Sequence, residues 1–327
     1  MPGGNMQRHL QSSLVGLMAL LLAACQRESN APRSPAAQDP ATNIQVFAVK
    51  GLVRGLDPEN ALVHIEHEAI PGYMEQMTMP FDVKDTNELS GLLMGDAVSF
   101  RLLVTETEGW IDQIVKIPLT RVTLKPKPRP PVRVTRVVEP LEVGDPIPDY
   151  PFTNQLGRAI SLHQFRGQAL GLTFIFTRCP YPTFCPRMSA NFAQAGQQLI
   201  AQTDGPTNWH LLSVSFDPDY DTPAVLKAYA EGYAYDPNRW SFATGAMIEI
   251  DAITEQFGMV FAPDGSFFSH NVRTVVIDAH SRVQRIFVGN EWKVAEFVAE
   301  LVKAASAPEP PATPAPRPGA PAEPAPR

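Results

Sequence analysis

The stretch Thr173-Phe174-Ile175-Phe176-Thr177-Arg178-Cys179-Pro180-Tyr181-Pro182-Thr183-Phe184-Cys185-Pro186 decides the fold of the larger part of this chain. Leu170 to Phe176 is almost wholly apolar, the pattern of a strand buried on both faces of a parallel sheet. Pro186 suits the first position of a helix, where its missing N–H would have no partner in any case. That places Cys185 at the helix N-cap, where unsatisfied N–H groups and the macrodipole favour an anionic thiolate. Cys179 stands at the end of the strand, with five residues between it and Cys185. A loop of that length can bring the two Cα atoms to the roughly 5.5 Å that a disulfide needs. Two soft sulfur atoms at that separation can equally share one metal ion.

Strand and helix patterns alternate around this stretch. Strands are expected at Leu170–Phe176, Leu211–Phe216, Val272–Ile277 and Val283–Val288. Helices are expected at Pro186–Ala201, Thr222–Tyr233 with Asp221 as cap, Ile248–Phe257 and Trp292–Ala304. Alternating βα units imply an α/β sheet covered by helices, and a thiol loop between a buried strand and a helix start makes it thioredoxin-like.

The 327 residues suggest two domains plus tails. The formal net charge of −7, without a basic block, argues against a nucleic-acid partner. Arg8 and His9 precede an apolar run from Leu14 to Ala24, ending in Leu22-Ala23-Ala24-Cys25. This is the order of a secretory signal, too short for an ordinary membrane span. It resembles a bacterial lipobox, with Cys25 lipidated. The expectation is an exported, lipid-anchored protein facing the periplasm, its membrane left open, with the remaining cysteine pair in an oxidising compartment. The organisation is then a signal peptide and lipobox over 1–25, a flexible tether over 26–43, a β domain over 44–120, and a Pro-rich linker over 121–140. An α/β domain over 141–305 and a disordered Pro/Ala-rich tail over 306–327 complete it.

Between 44 and 120, short runs of alternating apolar residues are separated by turn signals such as Gly55-Leu56-Asp57-Pro58 and Glu106-Thr107-Glu108-Gly109. Five short strands in so little chain suggest a small all-β barrel of the OB type. Its chemistry lies in His67 to Phe81. Met77 and Met79, two apart, face one side of a strand, while His67 shares a face with Val63 and Ile65 on the strand before. Thioethers with an imidazole form a soft donor set suited to Cu(I) or Ag(I). Methionines that merely fill the barrel are the plain alternative.

Val53-Arg54-Gly55-Leu56-Asp57, His67-Glu68-Ala69-Ile70, Met77-Thr78-Met79-Pro80-Phe81 and Gly95-Asp96-Ala97-Val98-Ser99-Phe100 resemble the CusF-like periplasmic copper-binding family. The resemblance implies Cu(I) held by His67, Met77 and Met79. The family's covering Trp is replaced here by Met74. Met74 as a fourth ligand and Tyr73 as a substitute ring are the two alternatives.

Phe174-Ile175-Phe176-Thr177-Arg178-Cys179-Pro180, Val214-Ser215-Phe216-Asp217-Pro218, Trp240-Ser241-Phe242-Ala243-Thr244-Gly245, and His270 shortly before Val275-Val276-Ile277-Asp278 resemble the SCO/SenC family. That resemblance implies a copper site, Cu(I) or Cu(II), formed by Cys179, Cys185 and His270. It also implies delivery to an apo-cuproprotein, the copper subunit of cytochrome c oxidase. The family spacing is C-x3-C; here it is C-x5-C. Met188, one turn past Cys185, suits core packing better than ligation. Asp217 and Asp221 read as helix-leading acids at a cleft edge. His163, His210 and His280 have no site context.

No bond of a substrate need be broken by such a protein, so a metallochaperone rather than an enzyme is expected. The enzyme alternative is a thiol–disulfide oxidoreductase, with Cys185 as the low-pKa thiolate, Cys179 as its partner, and a target protein thiol as substrate. Copper sequestration without delivery is a third reading.

Overall fold

Alternation of apolar and polar residues builds the first sheet. In the computed structural model, which describes residues 44–126, 134–264 and 267–307, it comprises β1 (Gln45–Asp57), β2 (Leu62–His67), β3 (Met77–Asp82), β4 (Ala97–Val104) and β5 (Gly109–Lys116). Their order is β3-β2-β1-β4-β5, all neighbours antiparallel. β1 is long enough to serve two partners: its first half pairs with β4 and its second with β2. The register shift between Val53 and Gly55 bends it from one to the other, the usual work of a bulge. Val53, Val63, Ile65, Phe81, Val98, Phe100, Leu102 and Ile111 fill the enclosed face. The expected barrel is not closed by a ladder: β3 and β5 are the edges, and a single parallel bridge, Val83 to Ile111, joins them.

The second sheet has seven strands. β6 (Pro151–Asn154) and β7 (Ala159–Ser161) form a hairpin, followed by β8 (Ala169–Ile175), α1 (Cys185–Ala201), β9 (Trp209–Ser215), α2 (Pro223–Glu231), β10 (Trp240–Thr244) and α3 (Met247–Gln256). A separate two-stranded hairpin, β11 (Phe261–Asp264) and β12 (Phe267–His270), precedes β13 (Arg273–Ile277), β14 (Val283–Val288) and α4 (Val294–Ala305). The order is β14-β13-β8-β9-β10-β6-β7, with β8, β9 and β10 parallel and the rest antiparallel. Every residue of β8, β9 and β10 is buried, as the unbroken apolar run in β8 demands. Helix α1 turns Met188, Phe192, Ala195 and Leu199 inward at helical spacing, onto this sheet and α4. Gly171 in β8 lets α4 approach: a Cβ there would lie 2.6 Å from the Phe297 ring. This is the thioredoxin-like architecture expected from the alternating pattern.

Helix α1 begins at Cys185 itself, with Phe184 as its cap, one residue earlier than expected. Thr222, not Asp221, caps α2, its side chain accepting from the Val225 N–H. The β6–β7 and β11–β12 hairpins were not anticipated. The described residues form one compact unit, so the two sheets are packed together rather than merely tethered. The leader with Cys25, the tether, the centre of the Pro-rich linker and the tail lie outside the described residues. Among the described residues no helix is long and apolar enough to cross a membrane.

Candidate metal centre

Cys179 leaves the end of β8, Cys185 opens α1, and His270 closes β12. The two Sγ atoms and a His270 ring nitrogen lie within 4.8 Å of one another. Cys185 is buried and the other two are half-buried. The His270 ring is packed among Phe176, Phe184 and Phe216, with centroids 5.7, 5.6 and 5.0 Å away. Its Nδ1 lies 2.9 Å from the Asn271 carbonyl, which can only accept, so Nδ1 carries the proton and the lone pair of the neutral ring is on Nε2. Metal-binding histidines are oriented in this way.

The segment entering Cys179 is pinned from two sides. Asp221 accepts from the Thr177 N–H at 3.0 Å and from the Thr177 and Ser215 hydroxyls at 2.5 Å. Asp217 accepts from Arg178 Nη2 at 2.7 Å, and the guanidinium lies 4.2 Å over the Tyr220 ring. The two acids thus hold the cysteine loop rather than lead a helix.

The thiols differ in opposite directions. Burial pushes Cys179 up, but hydrogen bonds with Cys185 and His270 and the attraction of His270 outweigh it and hold this thiol well below the ordinary range. Burial, then the Cys179 neighbour, pushes Cys185 well above it. The sequence expectation put the thiolate at Cys185; the environments of the two sulfurs instead favour it at Cys179, since burial weighs most on Cys185.

The longer C-x5-C loop still gathers the donors, and its added length has a use. Tyr181, 2 % exposed, projects into the first sheet, where its ring meets Phe81 edge-on at 6.0 Å. Gly109, at the start of β5, leaves the room: a Cβ there would lie 2.8 Å from the Tyr181 ring. Tyr73 donates from its hydroxyl to the Pro180 carbonyl at 3.1 Å. The Thr78 N–H, on the free edge of β3, donates to Asp264 of β11 at 2.8 Å. Sequence reasoning missed Tyr181 and Asp264. The spacing departure pointed to the first, and Asp264-Gly265 is a hairpin signal for the second.

In the first sheet, Met77 stands directly opposite His67 in register, and Met79 opposite Ile65. Met77 and Met79 are buried on one face of β3, and His67 is fully buried. His67 Nδ1 donates to the Glu68 carbonyl at 2.7 Å, the same orienting device as at His270. Met74 is buried in the sheet's core, and Tyr73 stacks on Phe47 at 4.7 Å. Met188 is core, accepting weakly from Thr274. His210 is structural: buried against Phe165 and bonded to Ser241. Its burial, then Arg239, lowers its pKa to about 4.

The SCO1/SenC family model matches residues 139–306, just over half of the chain. The chain belongs to the SCO1/SenC family. The model for the copper binding periplasmic protein CusF matches residues 46–116, the whole of the first sheet but Gln45. A SCO1 protein homolog from Bacillus subtilis is 28% identical over 173 residues, covering 50% of this chain and 87% of that protein. Among solved structures, BsSco, a member of the Sco family of cytochrome c oxidase assembly proteins, matches at 24% identity and TM-score 0.45, covering 52% of this chain and 99% of that one. Copper-bound ScoI of Bradyrhizobium japonicum matches at 23% identity and TM-score 0.40, covering 50% and 99%.

Proposed function

We propose that this SCO1/SenC protein is a copper chaperone of the cell envelope, lipid-anchored through Cys25, that carries Cu(I) and delivers it to an apo-cuproprotein. The observation that carries the reading is the convergence of two thiols, one buried and one half-buried, and an oriented, half-buried imidazole within 4.8 Å. Sulfur and imidazole donors in an apolar wall suit a soft cation, and among the described residues no carboxylate joins the group. The CusF match and the His67, Met77 and Met79 arrangement support a second copper site, of thioethers and imidazole, in the first sheet. Membership of the SCO1/SenC family favours the copper subunit of cytochrome c oxidase as recipient.

The test is an anaerobic Cu(I) titration of the reduced protein against a competing chelator, beside its Cys179→Ser/Cys185→Ser variant. The expected outcome is that the variant loses one tight equivalent and keeps another. Equal binding by the two proteins would remove copper from the cysteine pair. A thiol–disulfide oxidoreductase would then be the better reading, favoured by the lowered Cys179 thiol beside a second cysteine.

A further inference from the structure

The two donor groups are not remote from each other. A cavity of about 20 Å3 lies between the sheets, and its wall includes Met77 and Met79 on one side and Cys179 and His270 on the other. Phe176, Phe184 and Phe268 add apolar surface to the wall, with Thr78 and Ser269 also on it. A space of roughly 10–15 Å3 is enough for one water-sized occupant, so this one takes a single ion and excludes a peptide or an organic thiol. Met77 holds a double position, opposite His67 across β2 and β3 and also in the cavity wall.

Three contacts keep the walls in place: Tyr181 against Gly109 and Phe81, Tyr73 to Pro180, and Thr78 to Asp264. All three come from β3, its preceding loop or β5 meeting the cysteine loop or the hairpin that carries His270. The parts that supply the donors are therefore the parts that form the contact.

Resting on the chaperone reading, we propose that this cavity is itself a copper site, in which thioether sulfur from Met77 or Met79 and the Cys179 and His270 donors hold one Cu(I) together. It is the passage between the two donor groups. Copper keeps its +1 state throughout and no electron moves. A Cu–thioether bond breaks as a Cu–thiolate bond forms on Cys179, and any proton displaced from the thiol goes to water. Because the walls are already in contact, the ion passes without being released to solvent.

The test uses the reduced full chain with one equivalent of Cu(I), read by copper X-ray absorption and by chelator competition. The variants are Met77→Leu, Met79→Leu and Cys179→Ser/Cys185→Ser. Leu nearly conserves the volume of Met, so the core is kept, and a thermal melt of each apo variant checks this. The expected result is a first equivalent with both thiolate and longer thioether sulfur ligands. At least one Met variant should lose the longer shell and weaken that equivalent by about tenfold or more. A first equivalent unchanged in spectrum and affinity by both Met variants overturns the shared site and leaves the chaperone reading intact. A first equivalent unchanged by loss of the cysteines overturns both.

Discussion

At Cys179 two effects oppose each other. Desolvation disfavours a thiolate in a half-buried loop, while the Cys185 thiol and the His270 ring, within 4.8 Å, stabilise it. The second effect wins because both partners are held by the fold, Cys185 by the start of α1 and His270 by its Nδ1 bond to Asn271. Limited alkylation of the reduced, copper-free protein by iodoacetamide near pH 7, mapped by mass spectrometry, should therefore label Cys179 first. Cys185→Ser replaces the thiol partner and should move the pH profile of Cys179 alkylation upward. Primary labelling of Cys185 would show that the helix start, not the Cys185–His270 pair, governs the thiols. The helix terminus that favours Cys185 is visible in the sequence, whereas the depth of burial of each sulfur and the approach of His270 are not.

At the scale of elements, β8, α1, β9, β13 and β14 were legible because their signals are local, while β10 was not. An unbroken apolar run marks a doubly covered strand, and Pro186 marks a helix start. The donors Cys179, Cys185 and His270 were legible from motif resemblance. The β11–β12 hairpin that carries His270 was not, since strands of four residues give little periodicity. Nor was the socket formed by Gly109 for Tyr181, which joins residues 72 apart in the chain. That socket makes a direct prediction. Gly109→Ala places a methyl group 2.8 Å from the Tyr181 ring and should destabilise the protein by about 1–3 kcal/mol, as overpacking does. In the Tyr181→Ala background the same change should cost much less, and thermal or denaturant unfolding of the four proteins gives the coupling. Additive losses would mean that the ring does not occupy the space that Gly109 leaves.

At the scale of the whole molecule, the first sheet packs beside the half-buried Cys179 and His270, and the delivery proposed above would need that sheet to lift. Under that proposal the strength of docking bears on delivery, and one carboxyl makes it sensitive to pH. Asp82, at the end of β3, is pushed up to about 6, first by burial, then by Glu291, with Glu108 adding to it and Arg187 opposing. Glu108 comes from the first sheet's β4–β5 turn, and Arg187 and Glu291 from the second part, where they pair with each other. A carboxyl whose folded pKa lies above its ordinary 3.8 favours the packed state when protonated. Its contribution is complete below about pH 4 and is lost as pH rises through about 6. Asp82→Asn mimics the protonated form, so it should raise stability at pH 4.5 by only about a third of what it does at pH 7.5. Allowing for solvent screening, the gain at pH 7.5 is on the order of 1 kcal/mol, or about 2–4 °C in Tm. Calorimetry of the two proteins at both pH values decides it: an equal difference at pH 4.5 and 7.5 would mean that Asp82 is not ionised against its surroundings. If the difference follows pH as expected, Asp82→Asn should also slow alkylation of Cys179 at pH 7.5, because a sheet held more firmly in place uncovers that thiol less often.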